Sequence, residues 1–342
     1  MKNILAIALI GLAAVSCSKD GGSGPDSAAQ GGLISFSAGA PSLTRSYFPG
    51  AAGTMYWDSY DNLGVYATKN GSLQKSDFCT IGSAGIGTNE ATFSPKNILY
   101  TGGWTDNSTD EYTFCAYYPQ VSAPAATWQD GNVLLNIPAA QTGEFGRHHI
   151  CCSEPVTMTG TMIAKNKTVR FAFSPASSMV RVRLVVDAAS DVAETYIKQV
   201  TMTATGAALT GDCKLTLSDG SLAPAATLSS SDRSVVTVSL PAPVKITKTA
   251  EDNPYIDLVV LPVAPSGNIS FSAVTSEGVR LTIAQKAAPQ GGFQAGTRYG
   301  IDRNVAMTLD GGGPDGAYID GGSAWESKVD NDGAYTDGGY AW

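Results

Sequence analysis

The chain consists largely of short runs in which apolar and polar residues alternate, and this period restricts the fold more than any other feature. Clusters of Gly, Pro, Asn, Asp and Ser separate one run from the next. A period of two is that of a β-strand with one buried face, because successive side chains point to opposite faces of a sheet. We therefore predict β-strands at 33–38, 62–67, 91–95, 111–119, 132–138, 156–163, 168–174, 178–187, 196–205, 213–218, 234–241, 255–262, 268–275, 279–285 and 297–307.

Helical patterning is nearly absent from the sequence. Only "SDVAETYI" (190–197) predicts a short helix, with Ser190 as its N-cap. Charged residues are 15% of the chain, and the helix formers Glu, Lys, Leu and Gln are scarce beside Gly, Ser, Thr, Ala and Val. Many short strands without a strand–helix–strand rhythm favour β-sandwiches with Greek-key connections, so the predicted class is all-β.

The segment "MVRVRLVV" (179–186) shows how firmly this pattern sets a strand's register. Arg181 and Arg183 share one face, while Val180 and Val182 share the other. A slip of one residue would turn both arginines into the core, so we expect the valine face to be buried.

The first seventeen residues, "MKNILAIALIGLAAVSC", have the layout of an export signal. Lys2 precedes an apolar run from Ile4 to Val15, which is too short to span a bilayer. The ending "AVSC" resembles a bacterial lipobox, in which the cysteine, here Cys17, becomes the lipidated N-terminus. The polar stretch that follows predicts a flexible tether. The alternative is an ordinary cleaved signal with a chance cysteine.

The net charge of −8 argues against nucleic acid and against direct binding to acidic lipid. Most of this charge lies in the last part of the chain. From residue 309 onward there are seven acidic residues and one lysine, so this tail carries −6 and the body is close to neutral.

The cysteines and histidines are the candidates for chemistry, and their pattern favours none. Beyond Cys17 the cysteines are odd in number, which favours small buried side chains over a complete disulfide framework, although one disulfide stays open. They are Cys79, Cys115, Cys151, Cys152 and Cys213. On a strand, "HHICC" (148–152) would offer two metal ligands on each face, fewer than the four of a structural zinc site. No nucleophile motif accompanies the histidines, so we predict no enzyme activity, metal or cofactor.

Six segments, taken in order, resemble the fimbrillin family, the lipoprotein precursors of the type V pili of Gram-negative gut and oral anaerobes. They are "ISFSAGAPSLTRS", "YWDSYDNLGVYA", "YTFCAYYP", "VRFAFSPASSMVRVRLVV", "VVLPVAP" and "FQAGTRYGIDRNV". The family's Trp–Asp–Ile–Gly–Val–Tyr signature is similar to Trp57, Asp61, Leu63, Gly64, Val65 and Tyr66. The likeness covers most of residues 33–308, and "HHICC" and "SPAS" (174–177) depart from it.

The resemblance implies a pilus subunit with two transthyretin-like, Greek-key β-sandwich domains in tandem. The weakest patterning, at "GTMIAKNKT" (160–168), places the domain boundary. The predicted order is a lipoprotein signal (1–16), a tether (17–32), an N-terminal sandwich (33–162), a C-terminal sandwich (163–308) and a Gly/Asp/aromatic tail (309–342). The resemblance also implies a palmitate-bearing outer membrane lipoprotein that reaches the cell surface or fimbrium. Its partners would be copies of itself, other pilin subunits and a host or bacterial surface receptor.

In this family a protease cuts after an arginine near the first strand, and a segment of another subunit replaces that strand. Carried onto this chain, the cut falls between Arg45 and Ser46. In the displaced strand, Ile34 and Phe36 share a face with Ala38. The alternative is that Arg45 is an ordinary loop residue and the strand stays in place.

The tail repeats one eleven-residue phrase, 315–325, as 332–342. Its candidate donor or docking residues are Tyr318, Trp325, Tyr335, Tyr340 and Trp342. Tyr340 and Trp342 would share one face of a strand, whereas the glycines between aromatics weaken a strand. Three interpretations stay open: a donor strand, a disordered display or spacer, and a calcium loop at "DNDG" (330–333).

A monomeric surface lipoprotein that binds glycans is the second function class. Trp57, Trp104 and Trp128 lie near loop signals, where indole rings can stack on sugars. Trp57 is also predicted to be a core anchor, and Trp104 is the best candidate for exposure. An enzyme is the third class, and an activity lost in a His149→Ala variant would support it.

Overall fold

The computed structural model describes residues 34–39, 57–95, 109–120, 128–129, 131–143, 145–166, 168–225, 233–305, 315–316 and 326–328, and it confirms the all-β class. The described strands are β1 Ser35–Gly39, β2 Asn62–Lys69, β3 Ser72–Ile81, β4 Glu90–Pro95, β5 Glu111–Tyr118, β6 Trp128–Gln129, β7 Asn132–Ile137, β8 Ala140–Thr142, β9 Cys151–Ser153, β10 Val156–Thr159, β11 Thr168–Phe171, β12 Phe173–Pro175, β13 Ser178–Val186, β14 Glu194–Ala204, β15 Gly211–Thr216, β16 Leu222–Pro224, β17 Val235–Thr247, β18 Tyr255–Val260, β19 Asn268–Thr275, β20 Arg280–Ala287, β21 Arg298–Val305, β22 Asp315–Gly316 and β23 Glu326–Lys328. The helices within these ranges are α1 (Gly160–Lys165) and three single 3-10 turns, Ser83–Gly85, Phe145–Arg147 and Ala250–Asp252.

The first sheet has the strand order β11-β1-β4-β3-β2-β5-β9-β12, with β10 paired to β5. Its two end strands are consecutive in the sequence, because Ala172 alone separates β11 from β12. One continuous segment, 168–175, therefore supplies both end strands of the sheet. As a result β1 is an interior strand with a neighbour on each side.

Aromatic and aliphatic side chains fill the inside of this first sheet. The buried cluster consists of Ile34, Phe36, Ala38, Trp57, Leu63, Val65, Ala67, Cys79, Ala91, Phe93, Tyr112, Phe114, Ala116, Tyr118, Cys151, Met158, Ile163, Val169, Phe171 and Phe173. Ala91 and Phe93 of β4, and Val169 and Phe171 of β11, belong to it at a spacing of two residues, as alternation predicts.

Two more sheets pack around a second core. Their strand orders are β18-β13-β21-β23 and β22-β20-β19-β14-β17-β8. Val180 and Val182 of β13 are fully buried in this core, which confirms the register predicted for 179–186. On the opposite face, Arg181 forms an ion pair with Asp257 at 2.8 Å.

A fourth sheet, β16-β15-β7-β6, joins segments from before and after residue 163. β7 pairs with β15 over six residue pairs, from Asn132↔Thr216 to Ile137↔Gly211. A third core cluster, which includes Tyr117, Val133, Met179 and Leu215, draws residues from both sides of that point. Strand pairing thus crosses the boundary predicted at 162/163, and the division into two Greek-key domains stays a prediction.

Two local predictions were wrong. Residues 194–197 of the predicted helix lie in β14, because β17 pairs with all four of them and β19 pairs with β14 from Ile197 onward. The strand predicted at 156–163 ends at Thr159, where α1 begins. The Thr159 hydroxyl accepts the Met162 N–H at 3.3 Å and caps the helix.

Within the described residues no helix has the length and hydropathy needed to cross a bilayer.

Candidate functional site

The candidate site is β1 together with the channel it fills. β1 lies between β4, to which it is antiparallel, and β11, to which it is parallel. Phe36 stands opposite Phe93 on β4 and opposite Val169 on β11. Both edges of β1 therefore form ladder hydrogen bonds with neighbouring strands.

The inward face of β1 is apolar and almost completely buried. Ile34, Phe36 and Ala38 are 4%, 0% and 1% exposed. The Phe36 ring stacks on Phe171 with centroids 5.5 Å apart and tilts against Phe114 at 6.1 Å. This confirms the predicted alternation of β1, and each large side chain buried in this way stabilises the docked strand by about 1.5–3 kcal/mol.

Trp57 closes the channel beside the end of β1. Its indole N–H donates to the carbonyl of Ala38 at 3.2 Å. The ring is 1% exposed and meets Phe93 edge to face at 5.0 Å and Tyr118 at 5.7 Å. Trp57 is therefore a core anchor, as the sequence predicted, and it offers no surface to a sugar ring.

The outward face of β1 carries small polar side chains. The hydroxyl groups of Ser35 and Thr168 are 2.9 Å apart and link β1 to β11. Beside them Arg170 of β11 forms an ion pair with Glu90 of β4 at 2.5 Å, and both side chains are mostly exposed. Exposed ion pairs of this kind contribute little, so the inward face carries most of the binding energy of β1.

Most of the residues assigned to the site from sequence lie outside the described residues. These are Cys17, Arg45, Ser46, Tyr318, Trp325, Tyr335, Tyr340 and Trp342. Two short tail strands are described. β22 pairs with β20 and β23 pairs with β21, so each tail strand lies at one end of a C-terminal sheet. The sequence did not single out Phe93, Phe114 or Phe171 as channel residues. Their strands were predicted, but alternation does not reveal which strands flank β1.

The segment "HHICC" does not form one strand. His148 and His149 precede β9, and only Cys151 and Cys152 lie in it. The Ser177 hydroxyl accepts the Ile150 N–H at 3.0 Å and lies 2.8 Å from His149 Nδ1. His149 is fully buried, which lowers its pKa to about 3. This serine–histidine pair therefore has no access to a substrate.

The cysteines in the described residues are free thiols, and four of the five are buried. Burial raises the pKa of Cys115 to about 11 and the pKa values of Cys152 and Cys213 to about 12. Thiols with such values stay protonated near neutral pH and are poor nucleophiles and metal ligands. Within the described ranges, no three His, Cys, Asp or Glu side chains are grouped to hold a metal ion.

Comparison with known proteins identifies the family. The sequence pattern described as fimbrillin-like matches residues 44–310, well over half of the chain. The chain belongs to the fimbrillin-like family. The matched region of this fimbrillin-like protein begins after β1, and it ends where the tail begins.

Solved structures that are similar to this chain are distant in sequence. A candidate cell adhesion protein from Bacteroides uniformis is 15% identical with a TM-score of 0.50, over 80% of this chain and 93% of that chain. A second, from Bacteroides ovatus, is 14% identical with a TM-score of 0.50, over 88% and 99%. A fimbrial protein from Bacteroides vulgatus is 12% identical with a TM-score of 0.43, over 86% and 99%. No curated protein matches the sequence.

Proposed function

We propose that this fimbrillin-like protein is a structural subunit of a surface pilus or fimbria that serves cell adhesion. In this proposal it reaches the outer membrane as a lipoprotein anchored through Cys17. A protease then cuts after Arg45, β1 leaves, and an extended segment of another subunit takes its place. The protein's partners are copies of itself or other pilin subunits, with a surface receptor at the end of the fibre.

The observation that carries the proposal is the position of β1. It is the first described strand, yet it lies between β11 and β4 rather than at an edge of its sheet. Its loss would uncover the edges of β4 and β11 together with an apolar channel lined by Phe93, Phe114 and Phe171. Unpaired edges beside an apolar channel bind an extended peptide by adding a strand, because the ladder gives affinity and the pockets give specificity.

The placement of the cut supports the same mechanism. Arg45 follows Gly39, the last residue of β1, by six positions, so the cut releases the strand without removing a later one. The fimbrillin-like match begins at residue 44, next to this arginine. Nearly all of the region that matches the family therefore lies on the C-terminal side of the proposed cut.

The experiment compares the mature surface form of the wild type with an Arg45→Ala variant. We expect the wild type to begin at Ser46 and to form ladders that resist SDS without heating. Arg45→Ala should keep β1 and remain monomeric, and Arg147→Ala, an exposed arginine elsewhere, should behave as wild type. Ladders in which the subunits still carry β1 would contradict the proposal. A monomer that binds oligosaccharides would support the glycan-binding alternative.

Lipidation is tested separately. Cys17→Ala should abolish incorporation of labelled palmitate and release the protein from the outer membrane, because a single cysteine carries the acyl chains. Ser18→Ala, next in the chain, is the control and should keep the label. Labelling that persists without Cys17 would remove the lipoprotein part of the proposal.

A further inference from the structure

We infer that Asp61 and Tyr118 hold Trp57 in place on the end of β1, and that these positioning residues set how readily the strand opens from its channel. The inference rests on the proposed function, because it concerns the control of the strand that leaves. It assigns that control to one turn, residues 57–61, which we call the Trp57 turn.

The Trp57 N–H acts at the end of β1 that would open first. Pairing with β11 ends at Ala38, opposite Phe171, and the indole N–H donates to the Ala38 carbonyl at 3.2 Å. This end of β1 leads toward the proposed cut after Arg45, so cleavage makes it the free end. Local opening has its lowest cost at fraying chain ends, and the Trp57 N–H therefore opposes the first step of release.

Backbone hydrogen bonds fix the main chain of Trp57 but not its ring. The Trp57 N–H of the main chain donates to the Thr88 carbonyl at 2.8 Å, and the Trp57 carbonyl accepts the Gly87 N–H at 2.8 Å. Both partners lie just before β4, the neighbour of β1. The direction of the indole ring depends on the rings that enclose it, and Phe93 and Tyr118 meet it edge to face at 5.0 Å and 5.7 Å.

The Asp61 carboxylate joins the Trp57 turn to one of those rings. The Asp58 N–H donates to Asp61 Oδ2 at 2.6 Å, and the Tyr118 hydroxyl donates to Asp61 Oδ1 at 2.7 Å. The Asp61 N–H donates to the Asp58 carbonyl at 3.0 Å and closes a β-turn. Asp61 is 6% exposed and Tyr118 is 2% exposed. One buried carboxylate thus binds both the main chain next to Trp57 and the ring that Trp57 contacts.

The Asp61 carboxylate is the group of this contact that titrates. Burial raises the pKa of Asp61 above its ordinary value of 3.8, and the charge of Asp58 adds to the rise. The Asp58 N–H, the Tyr118 hydroxyl and the Arg147 guanidinium lower this pKa, and they do not offset burial. Burial also raises the pKa values of Tyr118 and of the nearby Cys151 thiol well above their ordinary range, so both side chains stay neutral.

The sign of the pH dependence follows from these pKa values. When the Trp57 turn opens, Asp61 reaches water and its pKa returns toward 3.8. The closed turn therefore binds a proton more tightly than the open turn, and protonation favours the closed turn. Retention of β1 should be strongest at acidic pH and should weaken as the pH rises through the raised pKa of Asp61.

The first test is hydrogen exchange on the uncut full chain. Replacing Trp57 by 3-benzothienylalanine exchanges the indole N–H for sulfur and keeps both rings. The amides of β1 should then exchange about tenfold faster, and Tyr118→Phe should have a similar effect. The control is Tyr112→Phe on the same strand, whose ring lies 5.6 Å from the Lys69 ammonium and away from Trp57. It should leave exchange in β1 within about twofold of wild type.

This measurement separates the inferred role from an ordinary loss of stability. A contact that stabilises the fold but stays intact when β1 opens would speed only the amides that exchange by global unfolding, such as those of the buried strand β13. Faster exchange in β13 with wild-type exchange in β1, in both the Trp57 and the Tyr118 variants, would therefore overturn the inference.

The second test is the pH profile of the same amides, corrected for their intrinsic exchange rates. In the wild type, protection of β1 should fall as the pH rises from about 4 to about 7. Asp61→Asn keeps the size of the side chain without its charge and should remove this dependence. An equal dependence in wild type and Asp61→Asn would show that another group controls the strand.

Cleavage then separates this inference from the proposed function. After cutting at Arg45, the Trp57 and Tyr118 variants should lose β1 about tenfold sooner than wild type and Tyr112→Phe, timed by mass spectrometry. If the wild type loses β1 and polymerises but the variants release it no faster, the proposed function stands and the inference is wrong. If β1 opens more often in the uncut variants yet never leaves after cleavage, the proposed function fails and the role of the Trp57 turn stands.

Discussion

His149 and Ser177 form a buried polar contact close to the junction of the first sheet and β13. Packing alone would suit an apolar residue at this position, and the imidazole is accommodated because Ser177 lies 2.8 Å from its Nδ1. The surroundings exclude water and hold the ring neutral, which lowers its pKa to about 3 from an ordinary value of 6.5. The protein's stability should therefore depend on the charge of this single ring.

We expect the free energy of unfolding to fall as the pH drops below 6.5. The unfolded chain binds a proton on His149 there, whereas the folded chain does so only near its lowered pKa. The stabilisation is fully present above pH 6.5, and about 2 kcal/mol of it should be lost between pH 6.5 and 5. His149→Gln should remove this slope in urea titrations, and His148→Gln, at the half-buried neighbour, should keep most of it. An equal slope in wild type and His149→Gln would contradict the assignment.

Arg303 is the residue that the strand pattern describes least well. It lies on the inward face of β21, fully buried, with its guanidinium 5.9 Å from the centre of the Phe271 ring. Alternation along β21 places Ile301 and Val305, both buried, on the same face. The pattern does not predict that a charged side chain shares this face. Alternation gives the spacing of buried positions, and it does not identify the ring that a side chain contacts across the core.

At the scale of elements, a side chain provides the hydrogen-bond partners for one residue at the edge of β18. Gln141 of β8 is 3% exposed, and its amide pairs with the backbone of Val259 in both directions. The side-chain N–H donates to the Val259 carbonyl at 2.7 Å, and the Val259 N–H donates back at 3.0 Å. One glutamine thus takes the place of a neighbouring strand at this point.

We expect Gln141→Leu to lower the free energy of unfolding by about 3 kcal/mol, because both backbone groups of Val259 would be buried without a partner. Thr142→Ala, an exposed position on the same strand, should cost less than about 0.5 kcal/mol. Urea unfolding followed by circular dichroism measures both. A Gln141→Leu variant as stable as wild type would show that water or a rearranged strand replaces the amide.

The buried face of β1 gives a second prediction at the scale of elements. Phe36→Ala leaves a cavity between Phe171 and Phe114 and should weaken the docking of β1 by about 3–5 kcal/mol. After cleavage at Arg45, β1 should therefore leave faster, and polymers should form sooner. Ser37→Ala, on the outward face, is the matched control and should release β1 at the wild-type rate. Equal release rates in both variants, timed by mass spectrometry, would show that another step limits assembly.

Individual strands were predictable, but their neighbours were not. The sequence predicted a strand at 111–119, and β5 spans Glu111–Tyr118, because alternation is a local signal. β8 was missed, since three residues are too few to show a period. The partners of β1 come from residues 90–95 and 168–171, and no local pattern encodes such distant pairing. The apolar face of β1 was therefore predicted, and the neighbouring strands that line its channel were not.

At the scale of the whole molecule, segments far apart in the sequence are interleaved. The segment 168–175 supplies both end strands of the first sheet, and β7 and β8 add to sheets formed by later residues. The third core cluster holds Tyr66 and Tyr117 from the first sheet beside Met179 and Leu261 from later segments. Cutting the chain near residue 163 would leave each part without strands that it needs.

We therefore expect a single cooperative unfolding transition instead of two. Cys79 lies in the core of the first sheet and Cys213 in the cluster shared by both parts, and both are fully buried. Pulsed thiol labelling along a urea series should expose both at the same midpoint, and circular dichroism should follow the same curve, as a two-state transition requires. Because a shared core couples its contributors, Met179→Ala should lower both midpoints together. Midpoints that separate, with Cys79 released while Cys213 stays protected, would instead favour two independent domains divided near residue 163.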